Sequence, residues 1–240
     1  MLAVWEQGYG QSAVVRMCLL LQAILPQTSV DVLNQMPLGR RNKLLLAFRV
    51  HRFGPRFEAV SRCRECRRQV DLTFDIGAMQ GWNTDISEGD TEREFLMTCD
   101  NIHIHYRLPT TGDILSLSGL SDPSHCREVL LNRCIVSAER DGTNVSSATL
   151  PEDVLRDISE RLDRSDPLAA IHLKMDCPHC LYQWEAPFDI AGFLSSEIDS
   201  WAKRLLMEIH ILAKTYHWSE SDILTMGAWR RRIYLALVEG

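Results

Sequence analysis

Apolar positions near the N-terminus recur at helical spacing, which predicts a core helix over 12–25, stopped by Pro26. "TSVDVLNQM" follows with Thr28 or Ser29 as N-cap, and "GRRNKLLLAFRVHRFGP" predicts a third helix closed by Gly54 and Pro55. The period then drops to two. From Gln69 to Ile76, Val70, Leu72, Phe74 and Ile76 point one way and Gln69, Asp71, Thr73 and Asp75 the other, the mark of a half-buried strand.

Residues 77–92 read as a polar loop, with Gly81, Asn83, Gly89 and Asp90. "REFLMT" and "IHIHYRL" predict two strands facing each other across "CDN", with His103 and His105 on the outer face of the second. Helices return after Thr110. "SDPSHCREVLLNRCIVSA" predicts one helix opened by Asp122-Pro123, and "TLPEDVLRDISERL" another, with Thr149 and Glu152 at capping-box spacing. "AIHLKM" and "LYQWEAPF" read as strands. From Ile190 to Leu212 apolar residues keep helical spacing over about six turns, and Ser219 with Asp222 caps a further helix.

Composition adds bounds. With 240 residues, 45% hydrophobic and 24% charged, the chain is ordinary globular material, and its net charge of −6 weighs against a dedicated nucleic-acid binder. The longest apolar run is broken by Arg16 and Gln22, short of the roughly 18 residues of a membrane span. Glu6 and Gln7 precede that run, unlike a secretory leader, so cytoplasmic, reducing surroundings are expected. There CxxC pairs are more often metal ligands or redox centres than disulfides.

Two such pairs stand out: Cys63 with Cys66 in "RCRECRR", and Cys177 with Cys180 in "MDCPHCLY". Each lies between strand-like segments, the way zinc ribbons present their ligands, and together they supply the four thiolates of a tetrahedral structural Zn2+ site. The 110 residues between Cys66 and Cys177 exceed the usual ribbon spacing, so the site must join distant parts of the chain. A thioredoxin-like pair would open a helix rather than sit between strands. A catalytic zinc would keep a position open, whereas four cysteines fill the shell. Ordinary thiols with no metal are the remaining alternative. His179 reads as a solvated turn residue, and Cys18, Cys99, Cys126 and Cys134 as structural.

Charge is uneven. Arg40 to Arg68 carries ten Lys/Arg against two Glu, and Asp71 to Asp100 eight acids against one Arg. The plain reading is a basic helix facing an acidic surface of its own chain or of a partner. The sharper one is a nucleic-acid-binding zinc-ribbon regulator. At the C-terminus, Trp229, Arg230, Arg231, Arg232 and Tyr234, with Trp218 before them, are residue types that dominate binding hot spots and form the candidate partner surface. His103 and His105 show no obvious carboxylate partner, and His210 and His217, seven apart, share a helical face if the helix continues that far. No GxSxG, P-loop, GxGxxG or HExxH is present, so no catalytic residues are nominated.

The "PLGRRN" turn, the two cysteine turns, "YRLPTTGDI" and the C-terminal pattern running from His210 through Trp218, Ser219 and Arg230 to Tyr234 together resemble the T-even-type phage baseplate hub assembly family, as found in phage-tail-like contractile injection clusters. Arg64 stands where that family has proline. The resemblance implies a non-enzymatic assembly chaperone or structural part of a contractile tail baseplate, with other baseplate or hub proteins as partners and no small-molecule substrate. Its place is then the cytoplasm or the tail-like particle itself. The expected architecture is α+β: N-terminal helices over 1–56, a composite four-cysteine zinc ribbon with small antiparallel sheet over 57–76 and 171–188, an inserted β-hairpin plus helices over 77–170, and C-terminal helices over 189–240.

Overall fold

The computed structural model describes residues 1–78 and 94–239. The fold is α+β, with small antiparallel sheets among helices. The polar loop expected around Gly81, Asn83, Gly89 and Asp90 lies outside the described residues.

The chain divides into two units, Met1–Leu19 with Gly192–Gly240, and Leu20–Ala191. Helices α1 (Leu2–Gly8), α2 (Ala13–Ile24), α8 (Ile190–Tyr216), α9 (Glu220–Thr225) and α10 (Ala228–Glu239) supply the first unit, α2 and α8 running on into the second. Its core is the apolar stripe of α8: Leu205, Ile209 and Leu212 bury against Ile223 of α9, Leu2 of α1 and Tyr234 and Leu235 of α10. Trp5 Nε1 ties α1 to α8 by donating to Asp199 Oδ1 at 3.1 Å. Ser219 caps α9 by accepting from the Asp222 N–H, as its sequence predicts.

The second unit begins with α3 (Val30–Asn34), capped by Ser29, and α4 (Leu38–Phe53). Two hairpins share its length: β1 (Arg56–Arg62) with β2 (Gln69–Asp75), and β7 (His172–Asp176) with β8 (Gln183–Pro187). Phe57 stacks on Phe74 within the first hairpin, and Phe188, just past β8, packs edge-on against both. Between the hairpins in sequence lies a four-stranded sheet, ordered β3 (Glu94–Cys99), β4 (Ile102–Arg107), β5 (Ile135–Arg140), β6 (Thr143–Asn144). Its core is formed with α6 (Pro123–Cys134) and α7 (Glu152–Ser165), whose Val154, Ile158 and Leu162 form one buried face.

Three local expectations are corrected. The helix begun at Asp122-Pro123 ends at Cys134, because β-branched Ile135 and Val136 turn extended and pair as β5 with β4. Thr149 does not cap α7: it closes a 3-10 turn with its hydroxyl donating to the Ser146 carbonyl, and Pro151 takes the N-cap. His105 does have a carboxylate partner, Glu94 Oε2 at 2.8 Å across the β3–β4 pair.

Candidate metal centre

Each cysteine pair sits on the turn of its own hairpin. Pairing of β1 and β2 ends at Arg62 opposite Gln69. The Cys63 N–H then bonds the Arg68 carbonyl at 3.0 Å, and the Arg67 N–H bonds back to the Cys63 carbonyl at 3.0 Å. The second hairpin repeats this at Asp176 opposite Gln183, with Cys177 N–H to Tyr182 O and Leu181 N–H to Cys177 O, both 2.9 Å. Both turns close through a residue with left-handed backbone, Arg67 (φ 59°) and Leu181 (φ 61°).

The repeated turn aims both thiols of a pair the same way, and the hairpins bring the pairs together. Cys63 Sγ lies 3.6 Å from Cys180 Sγ, Cys66 Sγ 3.6 Å from Cys177 Sγ, and all four sulfurs fall within 4.8 Å of one another. Disulfide sulfurs would be about 2.05 Å apart. Thiolates around a tetrahedral ion, with bonds of about 2.3 Å, stand about 3.8 Å apart, so the quartet is spaced to hold a metal ion. Among the described residues it is the only group of three or more His, Cys, Asp or Glu close enough to do so. Cys63 and Cys177 are buried, while Cys66 is half-buried and Cys180 exposed.

Burial pushes the Cys177 thiol up, but the His179 and Cys180 N–H groups and the neighbouring sulfurs draw it down to about 6. At Cys180 the Tyr182 N–H pulls down, while burial and the bonds to Cys177, Cys63 and Cys66 prevail and push it up to about 12. The two shifts run in opposite directions, as in a crowding of thiols that a cation would relieve.

The other cysteines stay apart from this group. Burial, with the Asp113 charge adding, pushes Cys134 up to about 12, and burial raises Cys99, so both remain neutral packing residues. His179 is exposed, its Nδ1 3.4 Å from Arg68 Nη1. His103 pairs with Thr98 Oγ1, and His210 and His217 are exposed.

The candidate partner residues separate in the first unit. Trp218 and Tyr234 pack edge-on, with Tyr216 stacked on Trp218 at 4.5 Å. Arg230 lies over the Tyr234 ring. Arg231 is an internal staple, its Nε 3.1 Å from Glu208 Oε2 and its Nη1 donating to the Met226 carbonyl at 2.7 Å. Trp229, 76% exposed, and Arg232 face solvent. The cationic run from Arg40 to Arg68 is likewise divided: Arg41, Lys43 and Arg49 are buried. Arg49 donates to the Gly54 and Arg56 carbonyls and lies 3.8 Å over Phe57.

A second constellation was missed by the sequence reading. Asp113, on α5 (Thr111–Ser116), is 1% exposed. Its carboxylate accepts Arg107 Nη1 and Nη2 at 2.6 and 3.0 Å, Arg133 Nε at 2.9 Å, and the Thr110 N–H and Oγ1 at 2.8 and 2.9 Å. Burial pushes this carboxyl up, but those donors outweigh it and hold it at about 2. Beside it "PLGRRN" meets "LPTTGD": the Leu38 N–H bonds the Pro109 carbonyl and the Thr111 N–H bonds the Met36 carbonyl. Asp166 completes the junction by accepting the Gly39 N–H at 2.9 Å, at the start of α4. The available signal was Thr110-x-x-Asp113, a capping box with Asp at its third position.

A family model described as T4 bacteriophage base plate protein matches residues 17–195, which is 179 of the 240 residues and includes both cysteine pairs and the Asp113 junction. Helices α9 and α10 lie beyond the matched span. No curated protein and no solved structure matches the chain.

Proposed function

The chain belongs to the T4 bacteriophage base plate protein family, and on that footing we propose that it is a non-enzymatic assembly factor or structural component of the baseplate hub of a contractile, phage-tail-like injection system. The family match over 17–195 carries this reading. In it, the cysteine turns form a composite zinc ribbon holding one structural Zn2+ through Cys63, Cys66, Cys177 and Cys180. Thiolates in tetrahedral array suit zinc, and four protein ligands leave no position for a substrate. Residues 1–56 and 189–240 flank the ribbon as helical regions, and 77–170 is its insert.

Other baseplate proteins are the partners, and α10 is one contact. Trp229, with Arg230 and Arg232 beside it, offers an exposed aromatic and two cations free of ion pairs among the described residues. Trp218 and Tyr234 shape this end from within, and Arg231 fixes it to α8.

Electron microscopy of particles from cells lacking this chain tests the reading. Particles without baseplates, or none at all, are expected, and complete baseplates would overturn it. Mass spectrometry of wild-type particles separates a resident component from a departing chaperone. A Trp229→Ala, Arg232→Glu chain should fold and yet fail to restore assembly, since both residues are exposed and the Arg231–Glu208 pair is left intact.

A further inference from the structure

The tips of the two cysteine turns carry features that metal binding does not use. Arg62, Arg64, Arg67 and Arg68 are all exposed there, against two exposed acids, Glu65 in the first turn and Asp176 at the base of the second, and none of the four makes an ion pair among the described residues. The 3.4 Å approach of Arg68 to His179 joins the two tips into one face.

On that face Leu181 is 83% exposed and holds a φ of 61°. Left-handed backbone disfavours every branched side chain, and glycine is the ordinary occupant of such a turn. The first turn carries a solvated arginine at the same place. At 181 both the backbone and the solvent disfavour leucine, and the turn is closed by the backbone N–H of residue 181 to the Cys177 carbonyl, a bond that glycine would keep. Tyr182 beside it is 40% exposed, its ring stacked on Trp184 and so held in one orientation.

We infer that the joined tips are a docking surface for another protein of the baseplate, one with an apolar pocket for Leu181 and Tyr182 and a carboxylate rim for Arg64, Arg67 and Arg68. The choice of partner class rests on the baseplate function proposed above; the geometry of the face does not. Charge selects an acidic rim. The exposed leucine selects a protein, because a phosphate backbone would engage the arginines and leave Leu181 in water.

Leu181→Gly is the decisive variant. Glycine accepts the left-handed turn, so metal content and melting temperature should hold or rise. Baseplate proteins encoded with the chain are purified and titrated singly, by calorimetry, into wild type and variant. One of them should bind wild type and bind Leu181→Gly roughly tenfold or more weakly, the effect of losing a buried apolar anchor. Arg64→Glu with Arg67→Glu should weaken the same complex and flatten its salt dependence. Binding unchanged by Leu181→Gly overturns the docking surface and leaves the baseplate function standing. Wild-type binding to none of the proteins overturns both. Loss of metal or of folding in Leu181→Gly overturns it in favour of a structural leucine. Arginine-dependent binding to a short duplex DNA alone overturns it in favour of nucleic acid.

Discussion

The two hairpins and the four-stranded sheet of the second unit are secured by different means. At the cysteine turns one buried cluster is Cys63, Val70, Met175, Cys177 and Trp184, so two of its five members are thiols of the quartet, while Phe57 is buried nearer the open ends of the hairpins. The sheet and its helices bury twelve residues, from Met97 to Leu162, and keep their buried charge at Asp113 under five hydrogen bonds. The first region places thiols that could hold an ion within its packing at the turns. The second has a core of its own and uses charge to lock a junction. Interfering with ligands should therefore act on one region and interfering with charge on the other.

Removing the proposed metal is expected to have the largest effect. A structural ion contributes about 10 kcal/mol or more in small zinc domains. Chelation, or Cys177→Ser, should abolish amide-exchange protection across β1, β2, β7 and β8 while β3, β4 and β5 keep theirs. Elemental analysis should show one zinc per wild-type chain and none in the variant. Loss of protection in both regions together would erase the distinction, and unchanged protection would remove the metal's role.

Asp113→Asn comes next. It leaves Arg107 and Arg133 without their counter-charge, and because both arginines are part-exposed the expected loss is about 2–3 kcal/mol by chemical denaturation. The Asp113 pKa is depressed to about 2 from 3.8, so the associated stability is complete above about pH 4 and is lost as pH falls through 2. That acid-sensitive part, about 2 kcal/mol, should vanish in the variant. A wild type whose stability is flat from pH 5 to pH 2 would contradict the assignment.

Gly39→Ala should be the mildest of the three. An added Cβ would overlap the Asp166 carboxylate that caps α4. Displacing it should lower stability by about 1–2 kcal/mol without changing metal content. A neutral result would mean that Asp166 moves aside freely.

Much of the helical pattern and the whole cysteine quartet could be read from sequence, because their rules are local. CxxC fixes where two thiols point, and Ser29, Asp122 and Ser219 all cap the helices they precede. The errors fall where a distant strand or charge decides. Ile135 and Val136 continue an apolar helical run until β4 offers them a partner. Glu94 and His105 become neighbours only through the β3–β4 register. Asp113 stands at the third position of a capping box, which is a local pattern, but nothing local announces that Arg107 and Arg133 converge on it. The cationic run from Arg40 to Arg68 was legible as charge but not as location: Arg49 is fastened inside by backbone carbonyls, whereas Arg64, Arg67 and Arg68 stand at the tips.

The separation of the facing thiols also sets a schedule for synthesis. Cys66 and Cys177 are 111 positions apart. At roughly 5–20 residues per second on the ribosome, the first pair waits roughly 5–20 seconds for the second. Through that interval the nascent chain can offer an ion only half a cage from these two pairs, while the residues that build β3, β4, β5 and α7 emerge. Those elements therefore have the time to pack before a four-thiol cage is complete.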